Sequence, residues 1–481
     1  MKQKNWKIVY SSLGGAAERA VRFLSKEIGR YVIRENGVYR IYVLPCEREG
    51  CSIPQNAVFV GLYNESDTIK KYVSEDEFPE NGFLVKVIPN PDDAEGNLVL
   101  LTAHDERELF YAAVSFIDDY IPSCAPKHGN NFMPELIFDS PLPPYSYAEA
   151  PDHCVRSIFT WGHSINDYRK YIDDIARMKI NELILWNDYV PLNISEIIDF
   201  AHSYGISVNL GYSWGWIAGC ENITDISDRR LNELKDEIIG EYEENYAPTG
   251  CDGIYFQSFT ERGDEYIGGR LIAEAVSTLV NMVSCELYKK YPCLKLQFGL
   301  HASSVCNRLE EIAKIDSRVE ILWENCGEFP YNYLPYSVDD DSFENTLDFT
   351  RKLLELRGGV GVGLVFKGMI TLDWTRFIHQ SGPYILGENS EEIAIHDKRI
   401  RLGAWRACSS AWITNGEYAE KMLRFINENK LGEVNMCIAA TLDGGIYLPF
   451  AICSQLFRTT GEDYGKTLAR VLRREYVEGN I

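Results

Sequence analysis

Eight short strand-like segments recur between Arg156 and Thr441, separated by stretches of helical period: RSIFTWGH, ELILWND, SVNLGYSW, GIYFQSFTE, KLQFGLHAS, VEILWENCGE, VGLVFKGM and VNMCIAAT. After the first, Ile165, Tyr168, Ile172, Ile175 and Met178 repeat at helical spacing. After the fourth, Leu271, Ala275, Val276, Leu279, Val283 and Leu287 do the same. A helix between successive strands returns the chain to the starting edge, so the strands run parallel. Eight such units predict a closed (β/α)8 barrel of the TIM type. The alternative, an open doubly wound sheet, calls for a Gly-rich first turn that the sequence lacks. The roughly 65 residues between the seventh and eighth strands are expected to hold a loop over the site and more than one helix.

The remaining N-terminal part reads as a separate small α+β domain. KIVYSS, VYRIYVL, AVFVGLY, GFLVKVIP and NLVLLTA are candidate strands, and AAERAVRFLSKEIGRYV and ERELFYAAVSFIDDYI are candidate helices. LGGAAERA has neither a dinucleotide-binding fingerprint nor a P-loop lysine, so its glycines read as a turn. Ser140–Pro151, SPLPPYSYAEAP, carries four prolines and reads as a linker. The expected domains are therefore 1–142 and 152–481, the barrel.

Charge narrows the partners. With 48 Lys and Arg against 71 Asp and Glu, the formal net charge is −23, a field that repels phosphate backbones and anionic membrane surfaces. No apolar run approaches the roughly 20 residues of a spanning helix, and the N-terminus lacks an export signal, so the expected location is cytoplasmic. The 13 cysteines form no CxxC pair and the eight histidines are scattered, so neither a metal nor another cofactor is expected. A homo-oligomer stays open.

In such a barrel the chemistry sits at the carboxyl ends of the strands. Those ends carry Trp161, Trp186-Asn187-Asp188, Tyr212 with Trp214 and Trp216, Gln257 with Glu261, His301, Trp323-Glu324, Glu328, Lys367 and Asp373-Trp374. Six of the nine tryptophans fall in this set. Flat aromatic faces stack on the apolar faces of sugar rings while amides and carboxylates bind hydroxyls, so a carbohydrate is the expected substrate. Glycosidic cleavage uses one carboxylic acid and a second carboxylate, and the rim offers Glu261, Glu324, Glu328 and Asp373. No GxSxG elbow is present for acyl transfer. Cys326 as a nucleophile beside His301, and Lys367 as a Schiff-base lysine, are the other chemistries weighed.

Several segments resemble those of β-N-acetylhexosaminidases and α-glucuronidases. NLVLLTAHDERELFYAAVSFIDDYI is similar to the helix closing the small domain ahead of their barrels. VRSIFTWGHSINDYRKYIDDIARMKIN, where Arg156 opens the strand and the helix ends in a Lys-x-Asn, is similar to their first barrel unit. IIDFAHSYGISVNLGYSW is similar to their approach to strand three. The resemblance implies a glycoside hydrolase with Glu261, in QSFTERGD, as general acid. It also brings Arg156 among the substrate-binding residues; for the same role the strand ends themselves offer Trp161, Trp186, Asn187, Asp188, Tyr212, Trp214, Gln257, His301, Trp323, Lys367 and Trp374. Hexosaminidases carry Asp-Glu at the end of strand four. Here Thr260-Glu261 stands there, nearer the α-glucuronidase pattern, and an inverting reaction is expected. A carbohydrate-binding protein on an inactive hydrolase scaffold is the alternative.

Overall fold

The structure is a computed structural model that describes residues 6–29, 32–35, 38–41, 46–50, 52–124, 127–128, 131–132, 138, 141–215, 223–301, 304–325, 339–367, 382–439 and 447–474. The chain divides into two compact units. One comprises Met1–Pro151 with His202–Gly205 and Gly465–Asn480; the other comprises Asp152–Ala201 and Ile206–Tyr464.

The first unit is built on a six-stranded mixed sheet. Its spatial order is Tyr145–Glu149, Phe83–Pro89, Asn97–Ala103, Asn56–Leu62, Trp6–Tyr10 and Cys46–Arg48. The last four strands run parallel, and the first two add antiparallel. Asn97–Ala103 is buried at every position, as a central strand covered on both faces must be. Helix Gly15–Ile28 buries Ala17, Ala20, Val21, Leu24 and Ile28 along one stripe. Helix Glu106–Ser115 starts where the Asp105 side chain accepts from the Glu108 backbone N–H at 2.9 Å.

Two expectations change here. The proline-rich stretch read as a linker contains the edge strand Tyr145–Glu149, whose Tyr147 pairs with Val85. Pro141, Pro143 and Pro144 precede the strand and Pro151 follows it, so none removes a ladder donor. Val38–Ile41, read as a strand, is one, and it pairs with Val32–Glu35 in a hairpin. The C-terminal residues belong with the first unit rather than the barrel: Arg474 pairs with Asp119 at 3.0 Å, and Arg470 Nη1 donates to Tyr147 Oη at 3.1 Å.

The second unit contains the eight-stranded closed barrel, all parallel, in chain order. The strands are Arg156–Trp161, Glu182–Trp186, Ser207–Ser213, Gly253–Gln257, Lys295–His301, Val319–Asn325, Val362–Phe366 and Val434–Ala439, and Arg156 pairs with Met436 to close the ring. The first, second and seventh are buried throughout, because the lumen covers one face and the helices the other.

The lumen fills in three levels. At the amino ends lies a polar network. Ser157 Oγ and Gln297 Nε2 donate to Glu182 Oε1 at 2.6 and 2.8 Å, and Asn435 Nδ2 bridges Glu182 and Glu320 at 3.1 Å each. Lys295 pairs with Glu182. Above it Phe159, Ile184, Tyr255, Leu322, Val365 and Cys437 form an apolar plug, with Trp161 and Trp186 toward the carboxyl ends. The third level is the mouth.

Candidate functional site

Strand parity decides which rim residues face the lumen, because successive side chains point to opposite faces. On strand four Tyr255 and Gln257 face inward, and Phe256 faces outward onto Phe298 and Trp214. On strand six Glu320, Leu322 and Glu324 face inward, which turns Trp323 outward.

At the floor of the mouth the Glu324 carboxylate is engaged at both oxygens. Gln257 Nε2 donates to Oε1 at 2.7 Å, and Lys367 Nζ donates to Oε2 at 3.0 Å. Glu324 and Lys367 are closed to solvent. Burial pushes the Glu324 carboxyl above its usual range, and Lys367 opposes that shift. Gln257 Nε2 also reaches the Tyr255 hydroxyl at 3.3 Å. Gly299 makes room for this group: a Cβ there would meet Tyr255 Oη at 1.9 Å and Glu324 Oε1 at 2.4 Å.

Glu261 follows strand four and keeps an exposed side chain. Its backbone is anchored one residue earlier, where the Thr260 carbonyl accepts from Arg262 N–H at 2.9 Å and from Ser304 Oγ at 2.5 Å. Desolvation by the surrounding walls raises the Glu261 carboxyl above its ordinary range, and the positive charge of Lys367 works against it. Lys367 thus acts on both carboxylates. Arg262 Nη1 donates to the Ile223 carbonyl at 3.1 Å.

Trp161 and Trp186 lie inward at the top of the plug, nearly buried, with Trp186 edge-on to Tyr255 at 5.9 Å. Asn187 accepts from the Tyr384 hydroxyl, which ties the end of strand two to the chain before the long Glu391–Asn415 helix. Asp188 and Tyr212 line a cavity beside the mouth.

Four rim assignments are corrected. Trp214 is fully buried and stacks on Phe256 at 3.6 Å, outside the barrel wall. Trp323 is fully buried against Phe349 of helix Asp340–Leu354. Neither has an open face for a sugar. The Tyr212 ring is stacked on Tyr246 at 4.5 Å and its hydroxyl donates to the Ile238 carbonyl at 3.1 Å, so it serves as wall rather than platform. Arg156 lies at the opposite end of the barrel. Its Nε donates to the Lys179 carbonyl at 2.9 Å and its Nη1 to those of His153 and Cys154 at 2.9 and 3.0 Å. Asn181 Oδ1 takes the Arg156 backbone N–H at 2.8 Å. The Arg and the Lys-x-Asn are thus a clasp between the first strand and the following helix, and Lys179 holds a left-handed φ of 61° within it.

Glu328, Trp216, Asp373 and Trp374 lie outside the described residues, as does the side chain of His301. Tyr255 and Tyr384 were missed from sequence. Tyr255 sits two residues before Gln257, a spacing that already places it on the same face. Tyr384 has no comparable local signal. Among the described residues no group of three His, Cys, Asp or Glu is placed to hold a metal ion, and no helix is long and apolar enough to cross a membrane.

No protein-family model and no curated protein matches the chain. Solved structures do. A GH20 β-N-acetylhexosaminidase from Streptomyces coelicolor A3(2) is similar at a TM-score of 0.53 and 11% identity, over 98% of this chain and 92% of that one. A mutant Streptomyces plicatus β-hexosaminidase in complex with its GlcNAc product gives 0.53 and 12%, over 99% and 91%. A family GH115 4-O-methyl-α-glucuronidase gives 0.52 and 12%, over 99% of this chain and 60% of that one. The chain shares its fold with these glycoside hydrolases. The likeness covers both the small domain and the barrel, and the mouth described above lies where a TIM barrel carries its chemistry. At this identity the likeness concerns fold, and function rests on the site.

Proposed function

We propose that the chain cleaves a glycosidic bond, with Glu261 protonating the leaving oxygen. What supports this is a carboxyl that follows strand four at the carboxyl end of the barrel, exposed yet within electrostatic reach of Lys367, with desolvation raising it in the direction a general acid requires. Gln257, Lys367 and Glu324 form the floor beneath the reacting ring. Both Glu324 oxygens are engaged and its surface is closed, so Glu324 orients Lys367 and Gln257 rather than activating water. The base is then assigned to Glu328 or Asp373, which follow the sixth and seventh strands in sequence. Thr260 in place of an acetamide-supporting Asp supports direct displacement by water with inversion. The closed Glu324–Lys367 pair also favours a second reading, a sugar-binding protein without turnover. A panel of aryl glycosides separates the two. Turnover lost in Glu261→Gln supports hydrolysis, and sugar binding with no turnover on any member supports the second reading.

A further inference from the structure

Tyr255, Glu324 and Lys367 are buried at the floor of the mouth, whereas Gln257, at the end of strand four, is half-buried. Gln257 is thus the member of this group that meets whatever enters. Its backbone is fixed, because its carbonyl accepts from Trp214 N–H at 2.8 Å. Its side chain is fixed too. Nε2 carries two hydrogens, and the floor offers two acceptors, Glu324 Oε1 at 2.7 Å and Tyr255 Oη at 3.3 Å.

The two ends of a glutamine amide have nearly the same shape, so in a neutral setting the group can turn over and exchange donor for acceptor. Glu324 forbids that exchange. The Lys367 ammonium, 3.0 Å from Oε2, keeps Glu324 as a carboxylate, and a carboxylate only accepts. A turned amide would set two acceptor oxygens against each other in a closed site, with no hydrogen between them. Nε2 therefore stays on the floor, and Oε1, on the other side of the planar group, is turned away from it. No donor among the described residues reaches Oε1. We propose that Gln257 Oε1 is the acceptor by which the mouth selects its sugar. A ring that lays a hydroxyl or an amide N–H against the end of strand four is held, and one that offers only an acceptor there is refused. Glu324 and Lys367 are positioning residues for that choice. The proposal rests on the glycosidase reading for the ligand being a sugar, and it deepens that reading by fixing the hydrogen-bond polarity of the site.

Fluorine is close in size to a hydroxyl but cannot donate, so deoxyfluoro sugars read the polarity directly. Titration calorimetry on the full chain, near neutral pH, compares glucose, galactose, xylose and N-acetylglucosamine with their derivatives, one hydroxyl replaced by fluorine at a time. Free sugars have no glycosidic bond to lose, so binding is read apart from turnover. For a parent that binds, at least one derivative should lose about tenfold or more in affinity, because the acceptor is left unpaired. In Gln257→Leu the parent should fall to the level of that derivative, so the penalty vanishes. Lys367→Met/Glu324→Gln keeps Gln257 but sets beneath it an amide that can either donate or accept, and it decides the matter if Gln257→Leu does not fold. There the same penalty should drop below about threefold while the parent stays within about threefold of native affinity. General damage to the mouth would weaken parent and derivative alike and leave their ratio unchanged. A penalty that persists in the folded variants, derivatives that all bind as tightly as their parents, or no binding of any parent would overturn the proposal. The expected fluorine pattern without hydrolysis of any aryl glycoside would overturn only the catalytic reading, and hydrolysis with no penalty tied to Gln257 would overturn only this one.

Discussion

Lys367 Nζ lies 3.0 Å from Glu324 Oε2, and both side chains are sealed from solvent at the floor of the barrel mouth. Such a pair is expensive to bury and more expensive to break, because removing one partner leaves an uncompensated charge. Lys367→Met should therefore destabilise the chain by about 3–5 kcal/mol. The double variant Lys367→Met/Glu324→Gln should recover much of that loss. Denaturant melts of the two variants check it, and equal losses would count against the pairing.

Lys367 also lowers the Glu261 carboxyl pKa against the desolvation that raises it. In Lys367→Met/Glu324→Gln the counteracting charge is gone, so Glu261 should hold its proton to higher pH. The alkaline limb of the kcat/KM profile on an aryl glycoside should move upward. A downward shift would mean that Glu261 is not the group titrating there.

Glu261→Gln should lower kcat by about 10²–10⁴-fold on a substrate with a poor leaving group, and far less on one that departs without a proton. Measuring both leaving groups separates acid catalysis from general damage to the site. Full activity on the poor leaving group would refute the assignment.

Burial, aided by the charges of Lys430 and Arg156, depresses His153 to about 3. The unfolded chain takes up a proton below about 6.5 while the folded chain stays neutral. This contribution to stability is thus complete above about 6.5 and is lost progressively as pH falls toward the folded value, by up to about 1.4 kcal/mol per pH unit. His153→Leu should flatten the fall in stability between pH 7 and 5, read from urea midpoints. An unchanged slope would show that His153 is not its source.

Trp214 and Trp323 carry packing rather than recognition. Trp323→Ala should cost about 3–5 kcal/mol of stability. Sugar affinity, measured by calorimetry on the variant while still folded, should stay unchanged. A selective loss of affinity with native stability would return Trp323 to the site.

The barrel was legible in the sequence because its signals are local. Eight apolar runs such as ELILW, each followed by residues at helical spacing, leave one economical closure, and strands buried on both faces must read that way. The position of Glu261 was legible for the same reason, as the residue just beyond the fourth run. Trp323 and Glu324 are neighbours on one strand, so the pleat sends them to opposite faces; the alternation was in the sequence, but only the closed barrel decided which face was the lumen. Arg156 looked functional beside a conspicuous Lys-x-Asn, yet its partners lie at the amino end of the strand, across a turn that local periodicity does not orient. Tertiary structure alone brought Lys367 to Glu324 from 43 residues away, tied Tyr384 to Asn187 across 197, and drew the edge strand Tyr145–Glu149 out of a proline-rich stretch. Each of these depends on which segments meet once the sheet has closed, and a one-dimensional pattern carries the period of a segment but not the identity of its neighbour.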